Sequence, residues 1–282
     1  MITNTPGGRH LTLGIFPAVA LAAPIWVAAS TGVAAQQAKP NFAFSEIGWL
    51  TMYNDFMPVA GGPEPTRVDP THPYVPNGTG RQPTFRIADL TNPNIKPWAK
   101  EIMKQENDKV LGGAIAITPR SSCMPAGVPG FFTWARFEPI HFVQTPQQVT
   151  MIFSGDAQIR RVYLDVPHSE NPKPTWYGES VGHYEGDTLV VDTIGYNDRT
   201  ALDGFRTPHT EKLHTVERWK LLEDGKVLEV TFTIEDPDTF YEPWSAIARF
   251  RRVERPMHEE ACAENNTPLF DYHMPAATKP DF

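Results

Sequence analysis

A histidine and three carboxylates fall within ten residues of one stretch, Gly182-His183-Tyr184-Glu185-Gly186-Asp187-Thr188-Leu189-Val190-Val191-Asp192-Thr193. A second polar cluster follows at His209-Thr210-Glu211-Lys212-Leu213-His214-Thr215-Val216-Glu217-Arg218. Imidazole exchanges a proton near neutral pH, and a neighbouring carboxylate orients it or takes the proton. His183 and His214 are therefore the candidate proton-transfer groups, with Glu217 and Asp192 as base or orienting group. Arg161 is the candidate holder of a substrate oxyanion, and Tyr163 and Trp219 are candidate substrate contacts. The same residues admit a plainer reading, in which Arg161 pairs with Glu217 or Asp192 to fix strand register. Buried ion pairs do this without any catalytic role.

Metal binding is the second chemistry to weigh. His168, His209 and Glu211 supply imidazole and carboxylate donors, for which Zn²⁺ is the first candidate. Their spacing matches no established signature such as His-Glu-x-x-His, so the primary expectation is no metal and no cofactor. His168 and His209 each follow a proline and read equally well as turn-capping loop histidines. There is no Gly-x-Ser-x-Gly elbow, phosphate loop or dinucleotide fingerprint.

These side chains need strands to position them. From Phe137 onward the pattern gives strands at 137–144, 148–154, 157–165, 178–184, 188–195, 212–222, 226–235 and 244–253. Ser154-Gly155-Asp156, Glu185-Gly186-Asp187 and Glu223-Asp224-Gly225 are tight turns between them. The expected fold is all-β, an antiparallel, calycin-like barrel of about eight strands with room for one small ligand. Strand alternation puts Leu213, Thr215, Glu217, Trp219 and Leu221 on one face, so Glu217 points inward. In 188–195 both faces are apolar enough to shield Asp192. In 159–165 the face Ile159, Arg161, Tyr163, Asp165 sets Arg161 on a semi-apolar wall. One short helix, 97–110, opens on Pro97 and closes on Gly112-Gly113, with Trp98, Ile102 and Gln105 inward. Phe42 to Leu50 suggests an early strand, and proline-rich loops fill much of 58–97.

Residues 1–35 read as a secretory signal peptide: Arg9 and His10, an apolar run to Ala29 broken by Pro17 and Pro24, then Val33-Ala34-Ala35. The remainder, 36–282, is expected to be one barrel domain with an N-terminal loop and helix extension. It is placed in the periplasm or secreted, with no membrane span after processing. In that compartment Cys123 and Cys262 are expected to form a disulfide. A net charge of −8 argues against nucleic acid as a partner. A small-molecule ligand is expected, and a homo-oligomer is compatible with the composition.

The two histidine-bearing stretches, with Gly195-Tyr196-Asn197-Asp198-Arg199-Thr200 between them, resemble a large group of exported bacterial proteins of unknown function. Cys123-Met124-Pro125-Ala126-Gly127-Val128-Pro129 and Cys262-Ala263-Glu264-Asn265-Asn266 resemble that group's two cysteine segments. The resemblance runs from about Cys123 to Asn266. It implies export and supports the disulfide, and it carries no catalytic roles. The expected function is an exported enzyme of lyase, hydratase or isomerase type acting on a small apolar or aromatic molecule in the barrel. The alternatives are a non-catalytic periplasmic carrier of an apolar ligand and a structural envelope protein without a pocket.

Overall fold

The computed structural model describes residues 39–257, apart from 44–46, 54, 77–78, 82–83, 135–137 and 155–157. The expected leader at 1–35, and Cys262, lie outside the described residues. Ten strands are present: β1 Ile47–Thr51, β2 Met57–Pro58, β3 Ile140–Gln144, β4 Gln148–Phe153, β5 Gln158–Leu164, β6 Glu179–Glu185, β7 Thr188–Ile194, β8 His214–Leu222, β9 Val227–Glu235 and β10 Trp244–Glu254. Hydrogen bonding runs in the order β1-β3-β4-β5-β6-β7-β8-β9-β10 and returns from β10 to β1, closing a nine-strand barrel. The short β2 adds to β10 outside that ring. Every ring strand thus has a hydrogen-bonded neighbour on each side, although β1–β3 and β5–β6 pair only in part.

All eight strands expected from residue 137 onward form, with shifts of a few residues at their ends. The turn glycines explain why. Glu185 pairs with Thr188, so Gly186 and Asp187 alone make the β6–β7 turn, and Gly186 takes φ 60°. Such a two-residue turn needs the left-handed backbone that glycine tolerates. At the β8–β9 turn, Glu223, Asp224 and Gly225 all have positive φ.

Two features differ from expectation. The ring has nine strands, because β1 completes it, and it is mixed, because β5 and β6 run parallel. Only Val162↔Ser180, Tyr163↔Val181 and Leu164↔Gly182 pair there. The cause is the connection 165–178. It does not turn back as a hairpin; it returns along the outside of the barrel and starts β6 in the direction of β5. Backbone hydrogen bonds from Thr175 N to Gly195 O (3.0 Å) and from Asn197 N to Thr175 O (2.9 Å) pin its far half.

The expected helix forms as α1, Pro97–Leu111, with proline in its first turn. Its inner stripe is Ala99, Met103 and Asn107, whereas Trp98 and Ile102 are exposed. The expected face is thus corrected. Asn107 accepts from Ala88 N at 3.0 Å and donates to Ala88 O at 2.9 Å, so a polar residue satisfies a buried loop while Trp98 donates to Asp238 O. A second short helix, α2 Gly130–Trp134, brings Phe131 and Phe132 into the core.

The expected ligand space inside the barrel is instead filled by the described side chains. Trp219 packs against Phe132, Phe142 and Phe250, with ring centroids 5.2, 5.7 and 6.0 Å away. Phe232 meets Phe56, Phe132 and Trp244. Buried aromatics at this density supply much of the hydrophobic stabilisation. No helix among the described residues is long and apolar enough to cross a membrane.

Candidate functional site

Glu217 points inward, as its strand parity requires, and is fully buried. Its partner is Arg160, not Arg161. Arg160 Nη2 donates to Oε1 at 2.6 Å and Nη1 to Oε2 at 2.9 Å, a bidentate pair, and Trp219 Nε1 donates to Oε2 at 2.9 Å. Arg160 Nη2 also reaches Thr193 Oγ1 at 3.0 Å and Ser180 Oγ at 3.1 Å. Burial works against the guanidinium charge, but the Glu217 carboxylate outweighs it and holds Arg160 above the ordinary arginine range. Every oxygen of Glu217 is engaged, so this network fixes β5, β6, β7 and β8 to one another.

The parity of β5 is the reverse of that expected from the sequence. Arg160, Val162 and Leu164 face in, while Ile159, Arg161 and Tyr163 face out. Val162 and Leu164 make that parity the more apolar one, and this was the available signal; the charge of Arg160 obscured it. Arg161 is therefore corrected to the outer wall. Trp219 is likewise a core residue, away from the outer wall. His183 is exposed and lies beside Glu185, with 3.1 Å between Nε2 and Oε1.

Asp192 and His214 do come together, on the outside of the barrel and with His168. His168 Nε2 lies 2.9 Å from Asp192 Oδ1, and His214 Nε2 lies 3.1 Å from the same oxygen. The far nitrogens face further carboxylates: His168 Nδ1 is 3.2 Å from Glu179 Oε1, and His214 Nδ1 is 3.4 Å from Glu235 Oε2. The result is a row, Glu179–His168–Asp192–His214–Glu235, running across β6, β7, β8 and β9 with His168 contributed by the 165–178 connection. A neutral imidazole donates one hydrogen bond, so a ring with a carboxylate at each nitrogen satisfies both only when doubly protonated. Accordingly the hydrogen bond to Asp192 holds His214 above the usual histidine range, against partial burial. The hydrogen bond from His214 in turn lowers Asp192. Glu179 is lowered chiefly by Ser169, whose hydroxyl and backbone N–H both donate to it at 2.7 Å.

The metal alternative is corrected. His168 belongs to this row, Glu211 is exposed, and His209 is buried elsewhere. His209 Nδ1 donates to Thr210 O at 3.1 Å and Nε2 accepts from the Thr200 hydroxyl at 2.7 Å, which assigns a neutral tautomer. Burial pushes this imidazole below its usual range. Among the described residues no three His, Cys, Asp or Glu side chains are grouped to hold a metal ion.

A cleft of about 460 Å³ opens where β5 and β6 splay apart below their three paired residues. Ile159, Arg161 and Tyr163 line it from β5, and Lys173, Trp176 and Tyr177 from the connection. Buried Arg160 backs it, and Glu179 stands in its wall. Tyr177 is anchored by its hydroxyl on Gln158 and by an edge contact with Phe131 at 5.9 Å. Glu179 is thus shared: it faces the cleft and is the first member of the carboxylate–imidazole row. Sequence reasoning missed Arg160, Lys173, Trp176 and Glu179, and gave His168 only a capping or metal-binding role. No hairpin pattern brings 165–178 beside Asp192. Comparison of the chain with protein-family models, with curated proteins and with solved structures finds no match.

Proposed function

We propose that this protein is an enzyme of acid–base type, performing a lyase, hydratase or isomerase step on a small aromatic molecule bound in the β5–β6 cleft. The observation that carries this reading is the double position of Glu179. A carboxylate held charged by Ser169 borders a ligand-sized cleft and is joined through His168 to Asp192 and His214. Glu179 would accept a proton from a carbon of the ligand. His168, hydrogen-bonded to Glu179 and held by Asp192, would relay that proton and return it. Glu217, a candidate base by sequence, is reassigned to structure because it is fully buried, ion-paired with Arg160 and does not line the cleft. His183, paired with exposed Glu185 instead of a cleft residue, is left out of the mechanism.

Solvent exchange tests the proposal without knowledge of the natural substrate. Aryl ketones and aryl-substituted unsaturated acids are incubated with the protein in D₂O, and deuterium incorporation at carbon is read by mass spectrometry. The native protein is expected to catalyse incorporation into at least one of them. Glu179→Gln, with an unchanged circular dichroism spectrum, is expected to lose about 10²–10⁴-fold of that rate, the usual contribution of a positioned base. Exchange undiminished in Glu179→Gln would remove the proposal.

A carrier without catalysis is the second reading. The complete mutual satisfaction of Arg160 and Glu217 behind the cleft favours it, and ligand binding without any exchange would select it. Export, membership of the exported bacterial group and the Cys123–Cys262 disulfide belong to the same proposal. N-terminal sequencing beginning near Gln36 and the absence of titratable thiols in the secreted protein are the expected results.

A further inference from the structure

We infer that the ligand of the β5–β6 cleft is an aromatic carboxylate, its ring against Tyr163, Trp176 and Tyr177 and its anionic end between Arg161 and Lys173. The inference deepens the proposed function and rests on its placing the site in this cleft. The protein carries a net −8, and several cations of the barrel are matched: Arg160 with Glu217, Arg218 with Glu185, Arg249 and Lys220 with Glu229. Arg161 and Lys173 both line the cleft, and neither has a carboxylate partner among the described residues. Glu179, the one carboxylate in the cleft lining, is turned to Ser169 and His168 and forms no ion pair with either cation, so the two cations outnumber it there. Two uncompensated cations at one opening attract an anion, and a guanidinium can grip a carboxylate through paired N–H donors.

Shape and apolar surface supply the second half. Tyr163, Trp176 and Tyr177 present three aromatic side chains, and Ile159 adds an aliphatic one. The Arg199 guanidinium lies 5.9 Å from the Trp176 ring, a cation–π contact that helps fix the indole at the rim. A neutral apolar ligand would cover both cations without compensating them, which is costly. A small inorganic anion would leave the aromatic wall wet. A ring bearing a carboxylate satisfies both surfaces.

Isothermal titration calorimetry with phenylacetate, 2-phenylethanol and acetate separates the contributions. Phenylacetate is expected to bind at least about tenfold more tightly than either other probe, since a charge-assisted hydrogen bond is worth that much. Its affinity should fall as salt is raised. The double variant R161Q/K173Q, altered only at exposed side chains, is expected to lose about tenfold or more for phenylacetate and little for 2-phenylethanol. Equal binding of 2-phenylethanol and phenylacetate, no phenylacetate binding to the folded protein, or native affinity in R161Q/K173Q would each overturn the inference. Glu179→Gln keeps the two claims apart. It should retain phenylacetate binding while losing deuterium exchange. Phenylacetate binding with no exchange on any probe supports this inference and defeats the acid–base reading. Exchange confined to neutral aryl ketones does the reverse.

Discussion

At the scale of single residues, two charged clusters behave oppositely because one is buried and the other half-exposed. The Arg160–Glu217 pair has no water to fall back on, with both side chains essentially inaccessible. Glu217→Gln leaves a buried guanidinium without its counter-charge and is expected to destabilise the barrel by about 3–5 kcal/mol in urea unfolding. The paired apolar replacement Arg160→Met with Glu217→Leu should recover most of that loss. The Asp192–His214 contact is more modest and pH-dependent. His214 is raised, so its contribution is complete below the ordinary histidine value of 6.5 and fades as pH climbs through the raised folded value. Asp192 is lowered, so its contribution is complete above the ordinary aspartate value of 3.8 and fades as pH falls through the lowered folded value. Both are present between those limits. Proton NMR titration should find His214 above 6.5 in the native protein and lower in Asp192→Asn; an unmoved titration would deny the coupling. Glu217 was legible because an alternating strand shows its inward parity in the sequence. The His168–Asp192 partnership was not, since the two lie 24 residues apart on elements that no local period relates.

At the scale of elements, the decisive piece is the connection 165–178. It makes β6 parallel to β5, limits that seam to three residue pairs, and carries His168, Ser169, Lys173, Trp176 and Tyr177 to the outer wall. Its end is set by Gly178, at φ 65°, where an added Cβ would stand 2.6 Å from Ile194 O and 2.7 Å from Thr193 Cγ2. Both the backbone conformation and the space therefore reject a side chain. Gly178→Ala is expected to cost about 1–3 kcal/mol in thermal unfolding and to weaken phenylacetate binding, because it displaces the adjoining Tyr177. A variant as stable as the native protein would mean that the crossover end is softer than its packing indicates. Turn glycines and β-branched runs made eight strands and α1 readable in advance. Strand direction was not readable, because alternation is the same for a parallel and an antiparallel neighbour, and only the path of the connection distinguishes them. The inner face of α1 was misassigned for a related reason: size suggested Trp98 and Ile102, while close approach selected Ala99 and Met103.

At the scale of the molecule, the barrel is unevenly stitched. β8 pairs with β9 along its whole length, and β9 with β10 over eight residues, whereas β1 meets β3 at a single pair and β5 meets β6 at three. Hydrogen exchange measured by mass spectrometry should be slowest in β8, β9 and β10 and fastest at the β1–β3 and β5–β6 seams. Uniform protection around the ring would contradict this. The candidate site sits at one weak seam, the three-pair β5–β6 junction, on the outer wall of the barrel. A barrel was predictable from the count and spacing of strands. That its interior would be packed, and its site external, was not, since Phe131 and Phe132 of α2 enter the core from a segment that carries no strand pattern.

Glu179 is the group proposed to move a proton in the cleft, and deuterium incorporation from D₂O compared across native protein, Glu179→Gln, His168→Asn and His183→Asn tests this directly. Incorporation should collapse in the first two variants and persist in the third, all with native circular dichroism. Loss in His183→Asn with full rates in Glu179→Gln would place the chemistry elsewhere on the barrel and contradict the account.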